Sequence, residues 1–152
     1  MKLIYLIRIS PHSFGRCYLE SVRIGFWCYV GNSHNALTVE SELDEAAGLA
    51  GRDPLEYRLT LLTEQPCHRK VLDRFAQDTG WRSGLLEKHA RSIALHESFK
   101  STVAHVVEVS VDAGNVRVQK VYCAIDCRHY VNPNITRQQI GNGDFWAFSS
   151  TL

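Results

Sequence analysis

The sequence predicts an α+β domain: helices packed on one small antiparallel sheet. Three observations carry this expectation. Apolar residues recur at helical spacing in successive runs between residues 34 and 79, each run bounded by start or stop signals. From residue 92 to 124 the pattern changes to strand-like alternation around the turn Asp112-Ala113-Gly114-Asn115. A cap-plus-proline pair, Asn132-Pro133, then opens a final helix. At 152 residues, with 45% hydrophobic and 22% charged side chains, the chain suits one domain with its own core.

Residues 1–24 read as one or two short strand-like runs around the breaker Ser10-Pro11-His12-Ser13, a leader without recognisable chemistry. A helix is expected over 34–50, capped by Ser33 or Asn32, because Val39, Leu43, Ala46, Ala47 and Ala50 share one face and Gly51 suits the stop. Asp53-Pro54 starts a second helix, on which Leu55, Leu59 and Leu62 form a stripe. A third spans about 67–79, with Val71, Leu72, Phe75 and Ala76 inward, Gly80 closing it and Trp81 packing beside it. Residues 81–91 are a linker and 92–99 a strand. A hairpin near 101–124 follows, in which Val103, His105, Val107, Val109 and Val111 share a face. Polar residues on its return strand imply that one face is wet or packs on something else. In the last helix, Gly141 and Gly143 each weaken the run by roughly 1 kcal/mol relative to alanine. The aromatic residues Phe145, Trp146 and Phe148 near Leu152 lead us to expect a domain that continues beyond this chain.

Seventeen basic against sixteen acidic residues give a net charge of +1, which offers no electrostatic case for nucleic acid or an anionic membrane surface. The apolar start Met1-Lys2-Leu3-Ile4-Tyr5-Leu6-Ile7 is broken at Arg8, short of a signal-peptide core or of the about 20 residues a spanning helix needs. A cytoplasmic setting is the default, with an exported parent left open. Five scattered cysteines, Cys17, Cys28, Cys67, Cys123 and Cys127, read as reduced thiols.

The densest candidate for chemistry is Gly25-Phe26-Trp27-Cys28-Tyr29-Val30-Gly31-Asn32-Ser33-His34-Asn35. Glycine allows close backbone approach, and a helix N-terminus directly after it offers free N–H groups to an anion. An ordinary capped turn is the alternative. Cys123, Cys127 and His129 have zinc-ligand chemistry but lack a fourth ligand at suitable spacing. Cys28 with His34 lacks an orienting third residue. His96 and Glu97 are adjacent on a strand and therefore point to opposite faces. Glu40 and Asp44 share a helical face, read as solvated and suited to the helix dipole. Neither a phosphate-loop nor a Rossmann glycine fingerprint is present.

The run from Gly25 to Asn35 resembles the Gly-Phe-Trp-Arg-Ser-Val-Gly-Asn-Ser-His-Asn segment of molybdopterin-dependent hydroxylases, in particular the isoquinoline 1-oxidoreductase beta-subunit type of the xanthine dehydrogenase and aldehyde oxidase family. Other segments resemble that family in the same order: Gly51-Arg52-Asp53-Pro54-Leu55-Glu56-Tyr57-Arg58-Leu59, then His68-Arg69, Gly80-Trp81, Ile93-Ala94-Leu95-His96-Glu97-Ser98-Phe99, Ala124-Ile125-Asp126-Cys127 and Val131-Asn132-Pro133. The resemblance covers residues 25–152. It implies part of a molybdopterin-binding domain, from a large subunit that oxidises aldehydes or N-heterocycles with water-derived oxygen. Electrons would pass to an iron–sulfur small subunit, and the remaining large-subunit domains would be the other partners. It also implies a cofactor-side set of Cys28, Tyr29, Val30, Gly31 and Gln139. Three departures stand out. Cys28 replaces the family's arginine, Lys100 stands where glycine is usual, and the Gln-x-Glu-Gly-Gly pattern reads Gln139-Ile140-Gly141-Asn142-Gly143. The family's base glutamate would lie beyond Leu152. The chain is therefore expected to be inactive alone, the alternative being a stand-alone domain that kept the fold and lost the cofactor.

Overall fold

A computed structural model describes residues 31–151. The order is α1 (Asn32–Leu49), α2 (Pro54–Leu61), α3 (Pro66–Asp78), β1 (His89–Ser98), β2 (Ser101–Asp112), β3 (Asn115–Asp126) and α4 (Pro133–Thr151). The three strands form one antiparallel sheet in the order β1-β2-β3. This is the expected α+β layout. The leader at 1–24 and residues Gly25 to Val30 lie outside the described residues.

Local chemistry sets most of the boundaries. The Asp53 carboxylate accepts from the N–H groups of Leu55 and Glu56 and caps α2, with Pro54 at its first position. Asn132 does the same for α4 through Asn134 and Ile135. α1 ends in a left-handed turn at Gly51 (φ 61°), where Arg52 N–H reaches Ala47 O at 2.9 Å and Gly51 N–H reaches Gly48 O at 3.0 Å.

Several expectations need correction. Neither Asn32 nor Ser33 caps α1: the cap position is Gly31, with no side-chain cap hydrogen bond, and both residues lie inside the helix. β1 begins at His89 rather than 92, so the last residues of the expected linker are strand. α4 runs through Gly141 and Gly143 and continues to Thr151.

The sheet has two unlike faces. On one, Ile93 and Leu95 of β1 and Ala104 and Val106 of β2 are fully buried against Leu55, Leu59, Leu62, Leu72, Phe75 and Ala76 of the helical layer. This is the core. Trp81 packs at its margin, and its indole N–H donates to Asp53 at 3.1 Å. On the other face, the positions of Val103, His105 and Val107 are only half-buried. Both hairpin turns run through left-handed backbone: Ala113 and Gly114 between β2 and β3 (φ 49° and 83°), and Phe99 and Lys100 between β1 and β2 (φ 50° and 66°). No helix among the described residues is long and apolar enough to cross a membrane.

Candidate functional site

The half-buried sheet face forms the floor of a cavity of about 700 Å3. α1 contributes one wall through Asn32, Ser33, Ala36 and Leu37, and α4 another through Thr136, Gln139, Ile140 and Gly143. A volume of this size lies within the roughly 300–1,000 Å3 of small-molecule sites.

The first wall is held rigidly. Arg58 of α2 is completely buried, and its Nε donates to Glu40 Oε2 at 3.0 Å while Nη1 donates to Asp44 Oδ1 at 2.7 Å. The same guanidinium donates to the carbonyl oxygens of Pro54 and Glu40. Glu40 Oε2 also accepts from Leu95 N–H at 3.1 Å, and Asp44 Oδ2 accepts from Ser92 Oγ at 3.0 Å. Glu40 and Asp44 are therefore not a solvated face. They bind α1 to α2 and to the outer edge of β1. A buried guanidinium needs this pairing, because a lone buried charge is costly.

The α4 wall is tied by a lighter contact. His105 Nε2 on β2 lies 3.0 Å from Asp144 Oδ1 on α4, with both side chains partly exposed. Cys123, beside His105 on β3, faces the same space. Burial and then the Asp144 charge push its thiol up to about 12, so it stays protonated at neutral pH.

His96 and Glu97 do point to opposite faces. His96 lines the cavity, and burial lowers its pKa from 6.5 against a smaller opposing effect of Glu97, which favours neutral imidazole. Glu97 turns to the core side, where its carboxylate lies 2.9 Å from His68 Nε2 of α3. Farther along that core face, Glu108 lies 3.0 Å from His89 Nδ1 and accepts from Arg91 Nη2 at 3.3 Å.

Of the expected cofactor-side set, Cys28, Tyr29 and Val30 lie outside the described residues. Gly31 directly precedes the wall residues Asn32 and Ser33, and Gln139 lines the cavity. A methyl group at Gly31 would meet only Asn35 Nδ2 at 3.7 Å and His34 Cε1 at 3.9 Å, so the described atoms leave room for a side chain there. His34 is exposed. Cys127 follows β3 as a half-buried free thiol, and His129 is exposed. Among the described residues, no three His, Cys, Asp or Glu side chains are grouped to hold a metal ion.

The site residues missed by the sequence reading are His105, Asp144 and Ser98. A signal existed for the first, since His105 shares its strand face with Val103 and Val107. Asp144 lies beside Gly141 and Gly143, which blur the helical periodicity that would place it. No family model, curated protein or solved structure matches the chain.

Proposed function

We propose that this chain is a piece of a molybdenum-hydroxylase large subunit, contributing one wall of a molybdopterin site and inactive by itself. One convergence supports the reading. The helix start after Gly31, the strand carrying His96 and Ser98, and Gln139 are far apart in sequence, yet residues from all three segments border one cavity. All three belong to the ordered set of segments that carries the family resemblance, although the Gln139 segment departs from the family pattern after its glutamine.

The cavity's described lining does not suit the phosphate-bearing end of such a cofactor. It contains no Lys or Arg, whereas Glu40, Asp44 and Asp144 are all part of it. An anion there would face carboxylates without a fixed cation to balance it. With Cys28 in the arginine position, the sequence gives the same indication. The same observation favours a second reading, a stand-alone non-catalytic domain that kept the fold and lost the cofactor.

The coding sequence on either side of the gene, together with the composition of the purified chain, separates the two. In-frame Met-Gly-Gln-Gly upstream, a cofactor segment that the resembled subfamily carries nearer its start, and Gly-Glu-Pro downstream support the enzyme piece. Their absence, with a stable monomer that carries neither molybdenum nor pterin after expression in a molybdopterin-producing host, sinks it in favour of the second.

A further inference from the structure

α4 lies across the open sheet face with little packing against it. Thr136, Gln139, Ile140, Gly143 and Asp144, at i, i+3, i+4, i+7 and i+8, form its cavity-facing side. Val103 and Ile125 on the floor and Ile140 across from them are each only half-buried. Gly143 is the informative residue. A methyl group added there would meet no atom within 4 Å. Its backbone is helical, so no left-handed conformation calls for glycine. Glycine weakens a helix interior relative to alanine, and it is otherwise favoured where a backbone must come close to another group. In the raised arrangement Gly143 has neither use. Its place on the cavity side gives it one: α4 can descend onto Val103 and Ile125 with no side chain of its own in the way.

We propose that α4 is a strap that closes onto the β2–β3 face, with Gly143 as its point of contact and residues 127–132 as its hinge. The connection suits a hinge. It belongs to no helix or strand, residues 128–132 are exposed, and Arg128 already takes left-handed backbone at φ 65°. Asn132 caps α4 through the N–H groups of Asn134 and Ile135, so the helix start moves as one unit with the rest. Closing buries Val103, Ile125 and Ile140, which drives it. The His105–Asp144 pair opposes it as a strut, because its two side chains reach across the space that closing removes. The balance between the two sets whether the cavity is open. This inference rests on packing alone and does not depend on the family reading.

Methyl relaxation dispersion of the full chain, labelled at isoleucine and valine, tests the proposal, since lid motions fall in the microsecond-to-millisecond range. Val103, Ile125 and Ile140 should share one exchange process that is absent from Ile93 and Val106 in the core. The closed form should also give Overhauser contacts between the Gly143 α-protons and the Val103 or Ile125 methyl groups. Gly143→Leu should abolish the exchange. Gly141→Leu should leave it, because Gly141 has equally open surroundings but does not line the cavity. Asp144→Ala should raise the closed population about threefold, the size expected for losing a partly exposed pair. Should Gly143→Leu fail to fold, the exchange and contacts of the unaltered protein, with their response to Asp144→Ala, decide instead. Absence of both the exchange and the Gly143 contacts would overturn the proposal. So would exchange that extends to Ile93 and Val106, equal quenching by the two leucine variants, or a smaller closed population in Asp144→Ala.

Discussion

The two faces of the three-stranded sheet solve the same problem in opposite ways. The helix-covered face buries Ile93, Leu95, Ala104 and Val106, and each buried charged group near it meets a partner: Arg58 with Glu40 and Asp44, Arg91 with Glu108, Glu97 with His68. The opposite face carries Val103, His105 and Ile125 yet leaves about 700 Å3 beneath α4, tied by the His105–Asp144 pair. Dense packing makes the first face a scaffold. The second keeps open space; buried atoms without a partner occur on both, His68 Nδ1 and Arg91 Nε on the first and His96 Nε2 and Ser98 Oγ on the second. Protein interiors are otherwise packed like organic crystals, and the space on this side falls within the size range of small-molecule sites.

The contrast breaks first at Arg58. Arg58→Ala leaves Glu40 buried without its cation and should cost about 3–5 kcal/mol in urea unfolding. Asp144→Ala on the opposite side removes a partly exposed pair and should cost less than about 1 kcal/mol. Similar losses for the two would erase the distinction between the faces.

Acid unfolding sharpens it next, because each face supplies a separate step. Burial lowers the folded pKa of His96 below 6.5, so the unfolded chain takes up that proton first and stability falls as pH drops below about 6.5. The Glu108 carboxyl is held below its ordinary 4.5, first by its hydrogen bond with His89 and then by the charge of Arg91. Its contribution is complete above 4.5 and is lost as pH falls through the lowered value. Urea midpoints followed from pH 8 to 3 should show both steps. His96→Phe removes the upper one and Glu108→Gln the lower; an unchanged profile in either variant contradicts that assignment.

A smaller effect is expected where the two faces meet, at the β1–β2 turn. Lys100 has φ 66°, a backbone region that costs a non-glycine residue roughly 1–2 kcal/mol. Glycine relieves that and adds about 0.5–1 kcal/mol of backbone entropy cost, so Lys100→Gly should stabilise by at most about 1.5 kcal/mol, read as a raised urea midpoint. The least effect on stability, and a clear one on reactivity, belongs to the thiols. Iodoacetamide at pH 8 should modify exposed Cys67 well before Cys123, whose thiol burial pushes up to about 12; peptide mass mapping over time reads the order.

Caps and periodicity made the fold legible. Asp53-Pro54, Asn132-Pro133, Gly51 and the Ala113-Gly114 turn each act on the backbone locally, so a few neighbouring residues suffice to place them. The site was less legible because its geometry joins segments far apart in sequence. Glu40 and Asp44 looked like solvent-facing acids, since a helical face does not announce what lies across from it. Arg58 held the clue: it sits within the stripe Leu55, Leu59 and Leu62, where a cation requires buried carboxylates. The richer run of valines on β2 likewise does not identify the tighter core. Its alternate face, Thr102, Ala104, Val106 and Glu108, is the one fully covered.

Amide hydrogen exchange of the full chain tests the division between the densely packed face and the open one most directly. The account predicts that α4 exchanges through local opening at least about tenfold faster than Leu59, Leu95 and Val106. Equal protection of α4 and the core would contradict it.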